Sequence, residues 1–149
     1  MLAAARPLSK TADVVIFAAA VADYTPEQVA DGKLPRRRGT LTLRLVPTPD
    51  LAATLARAAK PGQIRIGFAL QTGDGATEAR RKLREKSLDG IVLNGPEAME
   101  ADAAAYRFIA TEPTGDRVVD WGKLTKTDCA ARIFDEVLRP SARLRRRKT

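Results

Sequence analysis

Apolar residues in this chain fall into short runs separated by polar, proline- and glycine-bearing stretches, and the spacing within each run predicts an element. Residues 2–9 read as the end of a helix. The consecutive β-branched residues Val14, Val15 and Ile16 predict a buried strand over Asp13–Ala20. The segment Asp23–Gly39 is polar and basic and contains Pro26, Gly32 and Pro35. It is too long for a turn, and long irregular connections in compact domains serve as lids or binding loops. Thr40-Leu41-Thr42-Leu43-Arg44-Leu45 alternates polar and apolar positions. That pattern predicts a half-buried strand, suited to an antiparallel ribbon or a subunit interface.

Thr48-Pro49-Asp50 predicts a helix start, with Thr48 as N-cap, Pro49 at the first position and Asp50 facing the positive helix end. Leu51 and Leu55 supply its apolar stripe. Further strands are expected at Ile64–Leu70 and Gly90–Asn94, with an amphipathic helix over Thr77–Leu88 between them. Residues 106–111 and 117–120 predict two outer strands joined near Gly115-Asp116. A last helix, Lys126–Leu138, is capped by Thr125 with Asp128 three residues on. Cys129, Ile133, Phe134, Val137 and Leu138 line one side of it, and Pro140 stops it. Strands alternating with helices predict an α/β fold around a largely parallel sheet.

Arg6 and Lys10 ahead of Val14–Ala22, which ends Ala20-Val21-Ala22, have the outline of a secretory signal. Asp13 and Asp23 bracket the run, and it is far too short to span a bilayer. A strand in a cytoplasmic protein, without a membrane partner, is the expectation.

Composition narrows the chemistry. The 149 residues suit one domain. With aromatics at 5%, the core must consist mainly of Ala, Leu, Val and Ile. The absence of His excludes Ser–His and Cys–His relays and imidazole metal sites. A single Cys excludes an internal disulfide and a thiolate zinc cluster, and Cys129 fits a reducing compartment. Of the net +8, six charges come from Arg139, Arg143, Arg145, Arg146, Arg147 and Lys148, so the body is nearly balanced. Residues 139–149 therefore form a basic, disordered tail in expectation; such tails are usually only solvated, with RNA binding the minority reading.

No G-x-x-x-x-G-K-[ST] loop or G-x-G-x-x-G fingerprint is present, and Gly73-Asp74-Gly75 is too little. Three weaker features remain. Ala18–Tyr24 leaves the carboxyl end of a buried strand, where open α/β sheets bind ligands; Asp23 can hold a metal or a ribose hydroxyl, or simply open a turn. Lys33, in Asp31-Gly32-Lys33-Leu34-Pro35-Arg36-Arg37-Arg38-Gly39, can close over a polyphosphate, or be an ordinary solvated cation. Lys82 and Lys86 lie four apart on one helix face and can clamp phosphates. The bland alternative is a salt-bridged face, with Glu78 before Lys82 and Arg81 before Glu85.

In order, Ala19-Ala20-Val21-Ala22-Asp23-Tyr24, Lys33, Thr48-Pro49-Asp50-Leu51-Ala52, Gly67-Phe68-Ala69, Lys82-Leu83 with Lys86, and Asp89 with Asn94 resemble the phosphopantothenate–cysteine ligase family, a coenzyme A biosynthesis domain often fused behind a flavin-dependent decarboxylase. The resemblance covers residues 1–138. It implies a Rossmann-like, mostly parallel sheet flanked by helices, a small antiparallel dimerisation ribbon built from Thr40–Leu45, and a homodimer with residues 23–39 as a flap. It further implies amide formation between 4′-phosphopantothenate and cysteine through an acyl-cytidylate, with CTP as co-substrate and Mg²⁺ as cofactor. FMN is implied only where a decarboxylase domain is fused upstream.

By position, the resemblance assigns nucleotide contacts to Asp23, Lys33, Pro49, Asp50, Leu51, Ala52, Phe68, Lys82 and Lys86. Lys33 is also the catalytic residue on the flap, Asp23 the metal ligand, and Ala19 and Ala20 lie beside the substrate. Phe68 is read equally well as a core aromatic. Cys129 is assigned packing alone, since the cysteine substrate is a free amino acid.

The chain departs from the family pattern in three places. Lys33-Leu34-Pro35-Arg36 stands where Lys-x-Lys-Lys is usual, and Gln71 where Glu is common. The family domain also begins upstream with a strand and a Gly/Ser-rich segment. The chain is therefore expected to be an incomplete ligase domain, inactive alone. The alternatives are a non-catalytic dimeric nucleotide-binding remnant and an RNA-binding module acting through the Arg-rich tail.

Overall fold

A computed structural model describes residues 1–34, 36, 39–70 and 75–139. Pro35, Arg37, Arg38, Gln71 and the tail from Pro140 onward lie outside the described residues. A helix, α1 (Leu2–Thr11), precedes the first strand, β1 (Val14–Phe17). Two short strands, β2 (Tyr24–Pro26) and β3 (Leu45–Pro47), form a separate ribbon. They are followed by α2 (Leu51–Arg57), β4 (Ile64–Leu70), α3 (Ala76–Glu85) and β5 (Gly90–Asn94). A 3₁₀ turn at Pro96–Met99 leads to the hairpin β6 (Ala103–Glu112) and β7 (Gly115–Thr125), and α4 (Lys126–Leu138) closes the order.

The main sheet runs β1-β4-β5-β6-β7. β1, β4 and β5 pair in parallel, and β6 and β7 extend the sheet antiparallel. Four of the five strands therefore point the same way, with β6 reversed. This is the expected α/β architecture.

Alternation along the strands supplies two apolar faces. Ile64, Ile66, Val92, Tyr106 and Phe108 pack with Cys129, Ile133 and Val137 of α4. On the other face, Ala69, Ile91, Leu93 and Ile109 pack with Ala79 and Leu83 of α3 and with Leu88. Gly90 belongs in β5 because a Cβ there would meet the Phe108 ring. That ring stacks on Trp121 of β7 at 5.2 Å.

Several boundaries differ from the sequence expectation. β1 ends at Phe17, where its pairing with Gly67 of β4 ends, and residues 18–23 leave the sheet. Residues 40–44 form no strand; the ribbon uses Leu45–Pro47 against Tyr24–Pro26. Leu41 and Leu43 stay 69% and 57% exposed, because alternation creates an apolar face but a strand also needs an edge to pair with. α3 stops at Glu85 because Ser87 takes φ +50°. The bond from Leu88 N–H to the Leu83 carbonyl then completes a Schellman-type end.

β6 and β7 are longer than expected at both ends. Their extension through Ala103-Ala104-Ala105 carries no alternation to read, and the register shifts between Tyr106 and Arg107. In α4 the Thr125 hydroxyl accepts the Asp128 N–H, as expected of a cap. Phe134 and Leu138, expected on the buried side, are 57% and 58% exposed. The buried stripe is Cys129, Ile133 and Val137, four apart, and each neighbour one position on is turned about 100° away.

Candidate functional site

The carboxyl ends of β1 and β4 open into a cleft of about 240 Å³. One wall is the chain leaving β1, with Ala19, Val21, Ala22 and Asp23. The second is the entry to α2, Thr48–Ala52, and the third is α3 through Lys82 and Lys86. Phe68, Gly67, Leu88 and Ile91 form the floor. Gly67 suits that floor, since a Cβ there would come within 2.6 Å of Leu88 Cδ1.

Two hydrogen bonds lock the first two walls together. Thr48 N–H donates to the Asp23 carbonyl at 2.8 Å, and the Thr48 hydroxyl donates to the Ala22 carbonyl. Thr48 is therefore not the helix cap that its sequence context predicts. Asp50 caps α2, its Oδ1 accepting the Ala53 N–H at 2.9 Å, and Pro49 precedes the cap.

Asp50 also reaches across the cleft, with Oδ2 3.1 Å from Lys86 Nζ. Partial burial pushes its carboxyl pKa up, but the Ala53 amide and Lys86 outweigh this and hold it below the usual carboxylate value. The lysines differ in how they are held. Lys86 is paired with Asp50. Lys82 lies 3.8 Å from Glu78, whose carboxylate is gripped more closely by Arg81. The expected salt-bridged face of α3 is thus present, built around Arg81 between Glu78 and Glu85. Lys82 is left at its margin, about a third exposed and facing the cleft.

Asp23 is the carboxylate to spare: its side chain has no hydrogen bond or ion pair among the described residues. Those residues contain no group of three or more His, Cys, Asp or Glu able to hold a metal. One carboxylate beside two ammonium groups suits a magnesium ion carried in on phosphates, which takes one or two protein carboxylates and keeps its waters.

Of the residues singled out in sequence, the fold brings Asp23, Pro49, Asp50, Leu51, Ala52, Phe68, Lys82 and Lys86 to this cleft, together with Ala19. It does not bring Lys33 or Ala20 to it; Ala20 is exposed in the stretch following β1, and Lys33 is exposed in the connection between β2 and β3. The cleft also uses Phe17, Val21, Thr48, Leu88 and Ile91, which sequence reasoning did not assign to it.

Among the described residues no helix is long and apolar enough to cross a membrane. Residues 1–140 match the family described as the DNA/pantothenate metabolism flavoprotein C-terminal domain. Over 82 residues the chain is 49% identical to a protein of an unknown prokaryotic organism named Cysteine/Cysteine sulfinic acid decarboxylase, covering 55% of this chain and 23% of that protein. Over 141 residues it is 36% identical to the Coenzyme A biosynthesis bifunctional protein CoaBC of Mycobacterium tuberculosis (strain ATCC 25618 / H37Rv), covering 86% of this chain and 33% of the relative. The crystal structure of the C-terminal domain of a Coenzyme A biosynthesis bifunctional protein CoaBC superposes with a TM-score of 0.70 at 31% identity, over 91% of this chain and 58% of that one. The chain thus spans a third or less of the length of these curated relatives. With a family match over nearly its whole length and the same fold in a solved relative, the chain belongs to the DNA/pantothenate metabolism flavoprotein C-terminal domain family.

Proposed function

We propose that this chain is the nucleotide-holding part of a cytoplasmic, homodimeric phosphopantothenate–cysteine ligase of coenzyme A biosynthesis. The observation that carries this reading is the convergence of Asp23, Asp50, Phe68, Lys82 and Lys86, from four separate parts of the sequence, on one cleft at the carboxyl edge of the sheet. A carboxylate is a poor electrophile, so joining it to the amine of cysteine requires a leaving group first. In this reading the carboxylate of 4′-phosphopantothenate attacks the α-phosphorus of CTP, expelling pyrophosphate. The cysteine amine then attacks the acyl carbon and displaces CMP.

Lys82 and Lys86 neutralise the departing phosphates. Asp50 keeps Lys86 extended across the cleft, and Phe68 packs against the nucleotide. Asp23 would hold Mg²⁺, which when bound offsets charge on the phosphates. Lys33 acts from the loop over Asp23–Gly39 and must travel to the cleft to do so. FMN would belong to a decarboxylase domain elsewhere in a longer protein, and no residue of this chain is assigned to it.

Calorimetric titration with Mg·CTP and separately Mg·ATP tests the reading. Saturable CTP binding, weaker ATP binding and weakening of CTP binding by Lys82→Ala are expected; absence of binding to either nucleotide overturns it. One observation favours a second reading, a nucleotide-binding remnant without catalysis: Lys33 stands away from the cleft. Pyrophosphate release dependent on both CTP and 4′-phosphopantothenate excludes the remnant, and CTP binding without release supports it.

A further inference from the structure

The loop that carries Lys33 belongs to an arm, residues 24–47, made of β2, β3 and the connection between them. Every described residue of the arm except Val46 is exposed, so within one chain its orientation is set at its base. The base lies between two anchored elements. β1 is fixed by its pairing with β4, and α2 by the buried side chains of Leu55 and Ala56. Residues 18–23, which link β1 to the arm, form no helix or strand. Irregular chain after an anchored strand leaves Asp23 without a fixed direction unless something outside the segment holds it.

Thr48 supplies that hold from the other side of the base. Its N–H donates to the Asp23 carbonyl at 2.8 Å, which adds one rung to the ribbon beyond the Tyr24–Pro47 pair. Its hydroxyl donates to the Ala22 carbonyl. Successive carbonyls of an extended chain point to opposite sides, so two of them turned on one residue mark a bend, and the bend falls at Asp23. The first bond is a main-chain bond that any residue but proline can make. The second needs a side-chain donor, which a Thr or Ser hydroxyl provides close to the backbone.

We propose that the Thr48 hydroxyl is a positioning group: by holding the Ala22 carbonyl it sets the direction of the Asp23 carboxylate at the cleft, and with it the seat of a phosphate-bound Mg²⁺. The inference rests on the ligase reading above, in which Asp23 is the metal ligand. It adds a residue that acts through Asp23 rather than on the nucleotide. Phe68, Lys82 and Lys86 stand on other elements, so loss of the hydroxyl reaches the metal and spares the contacts they make.

The test compares Thr48→Val, which keeps the β-branched shape and deletes the hydroxyl, with Thr48→Ser, which keeps the hydroxyl, both in the full chain. The bond to Ala22 is exposed, so water replaces the lost donor and both variants stay folded. Amide hydrogen exchange without ligand is expected to quicken about fivefold at the residue 48 N–H in Thr48→Val, while the Ala53 N–H, bonded to Asp50, keeps its rate. Calorimetric titration with CTP in EDTA is expected to give Thr48→Val the Kd of the unaltered chain. The Mg²⁺ concentration that produces half of the metal's gain in CTP affinity is expected to rise about fivefold. Thr48→Ser is expected to match the unaltered chain in all three measurements. If Thr48→Val weakens CTP binding equally with and without Mg²⁺, Thr48 only shapes the cleft wall; the inference falls and the ligase reading stands. An unchanged exchange rate or an unchanged Mg²⁺ requirement overturns the inference as well. If the unaltered chain binds no CTP, the ligase reading itself fails and the inference falls with it.

Discussion

The two ends of the central sheet carry opposite kinds of charge cluster. At the amino ends of β4 and β5, Arg117 sits between two carboxylates, 2.7 Å from Glu112 and in direct contact with Glu136. Glu136 is only 10% exposed, and the guanidinium lies over the Phe108 ring. Burial pushes the Arg117 pKa down, but Glu136 and Glu112 outweigh this, so the group stays charged. The space there is about 30 Å³, room for little more than a water. At the carboxyl ends of β1 and β4, Lys82 is loosely held, Asp23 is unpaired and the cleft is open. Saturated charge in a closed site is structure, and unsatisfied charge in an open one is capacity for a ligand. Both clusters are part of one sheet, so cation content alone does not separate them; the number and closeness of the partners does.

The largest effect that would sharpen this contrast comes from Arg117→Leu. It removes the ion pair of Glu112 and leaves Glu136 only Arg139, 3.8 Å away, and a loss of about 2–4 kcal/mol is expected in urea unfolding, followed by the Trp121 fluorescence. Nucleotide affinity should be unaffected. Lys82→Ala should do the reverse, weakening Mg·CTP binding about tenfold, or about 1.4 kcal/mol, with unfolding little changed. Should Arg117→Leu weaken nucleotide binding as much as Lys82→Ala does, the distinction between the two ends of the sheet is lost.

Asp50 joins the two roles, as helix cap and as holder of Lys86. Asp50→Asn keeps a capping oxygen and removes the charge, so about 0.5–1 kcal/mol should be lost near neutral pH. Because the folded-state pKa is lowered, the charge contributes fully above the ordinary carboxylate value of about 3.9 and the contribution fades as pH falls through the folded value. Unfolding curves of the two proteins should therefore converge below about pH 4 and separate above it. The smallest effect expected is a gain. Ser87→Gly relieves the left-handed φ of +50° at the end of α3 and should add about 0.5–1 kcal/mol without altering Lys86.

Much of the scaffold was legible before any coordinates. Ile64–Leu70, Gly90–Asn94 and Lys126–Leu138 lie where their runs, turn residues and cap predict. Their signals are local, since a run of apolar residues is buried whichever neighbour covers it. The misreadings share one cause. Thr48 and Asp50 are both competent caps, and which of them acts depends on the Ala22 and Asp23 carbonyls, distant in sequence from Thr48. Thr40–Leu45 alternates well but pairs only from Leu45 onward, because the partner edge at Tyr24–Pro26 is short. Phe134 is apolar and on the margin of the α4 stripe, and only the position of the sheet decides that it faces outward.

The candidate site divides along the same line. Residue types and their order were sufficient to nominate Asp23, Asp50, Phe68, Lys82 and Lys86 together, through a family resemblance carried by short motifs. The motifs persist in sequence because each residue's chemistry is its own. That these residues share one cleft, and that Lys86 is held while Lys82 is loosely held, followed from the fold alone. Such pairings depend on distances between segments tens of residues apart. Only the packing of α3 and α4 on opposite faces of the sheet, with Thr48 tying the entry to α2 to the chain leaving β1, brings those segments within reach.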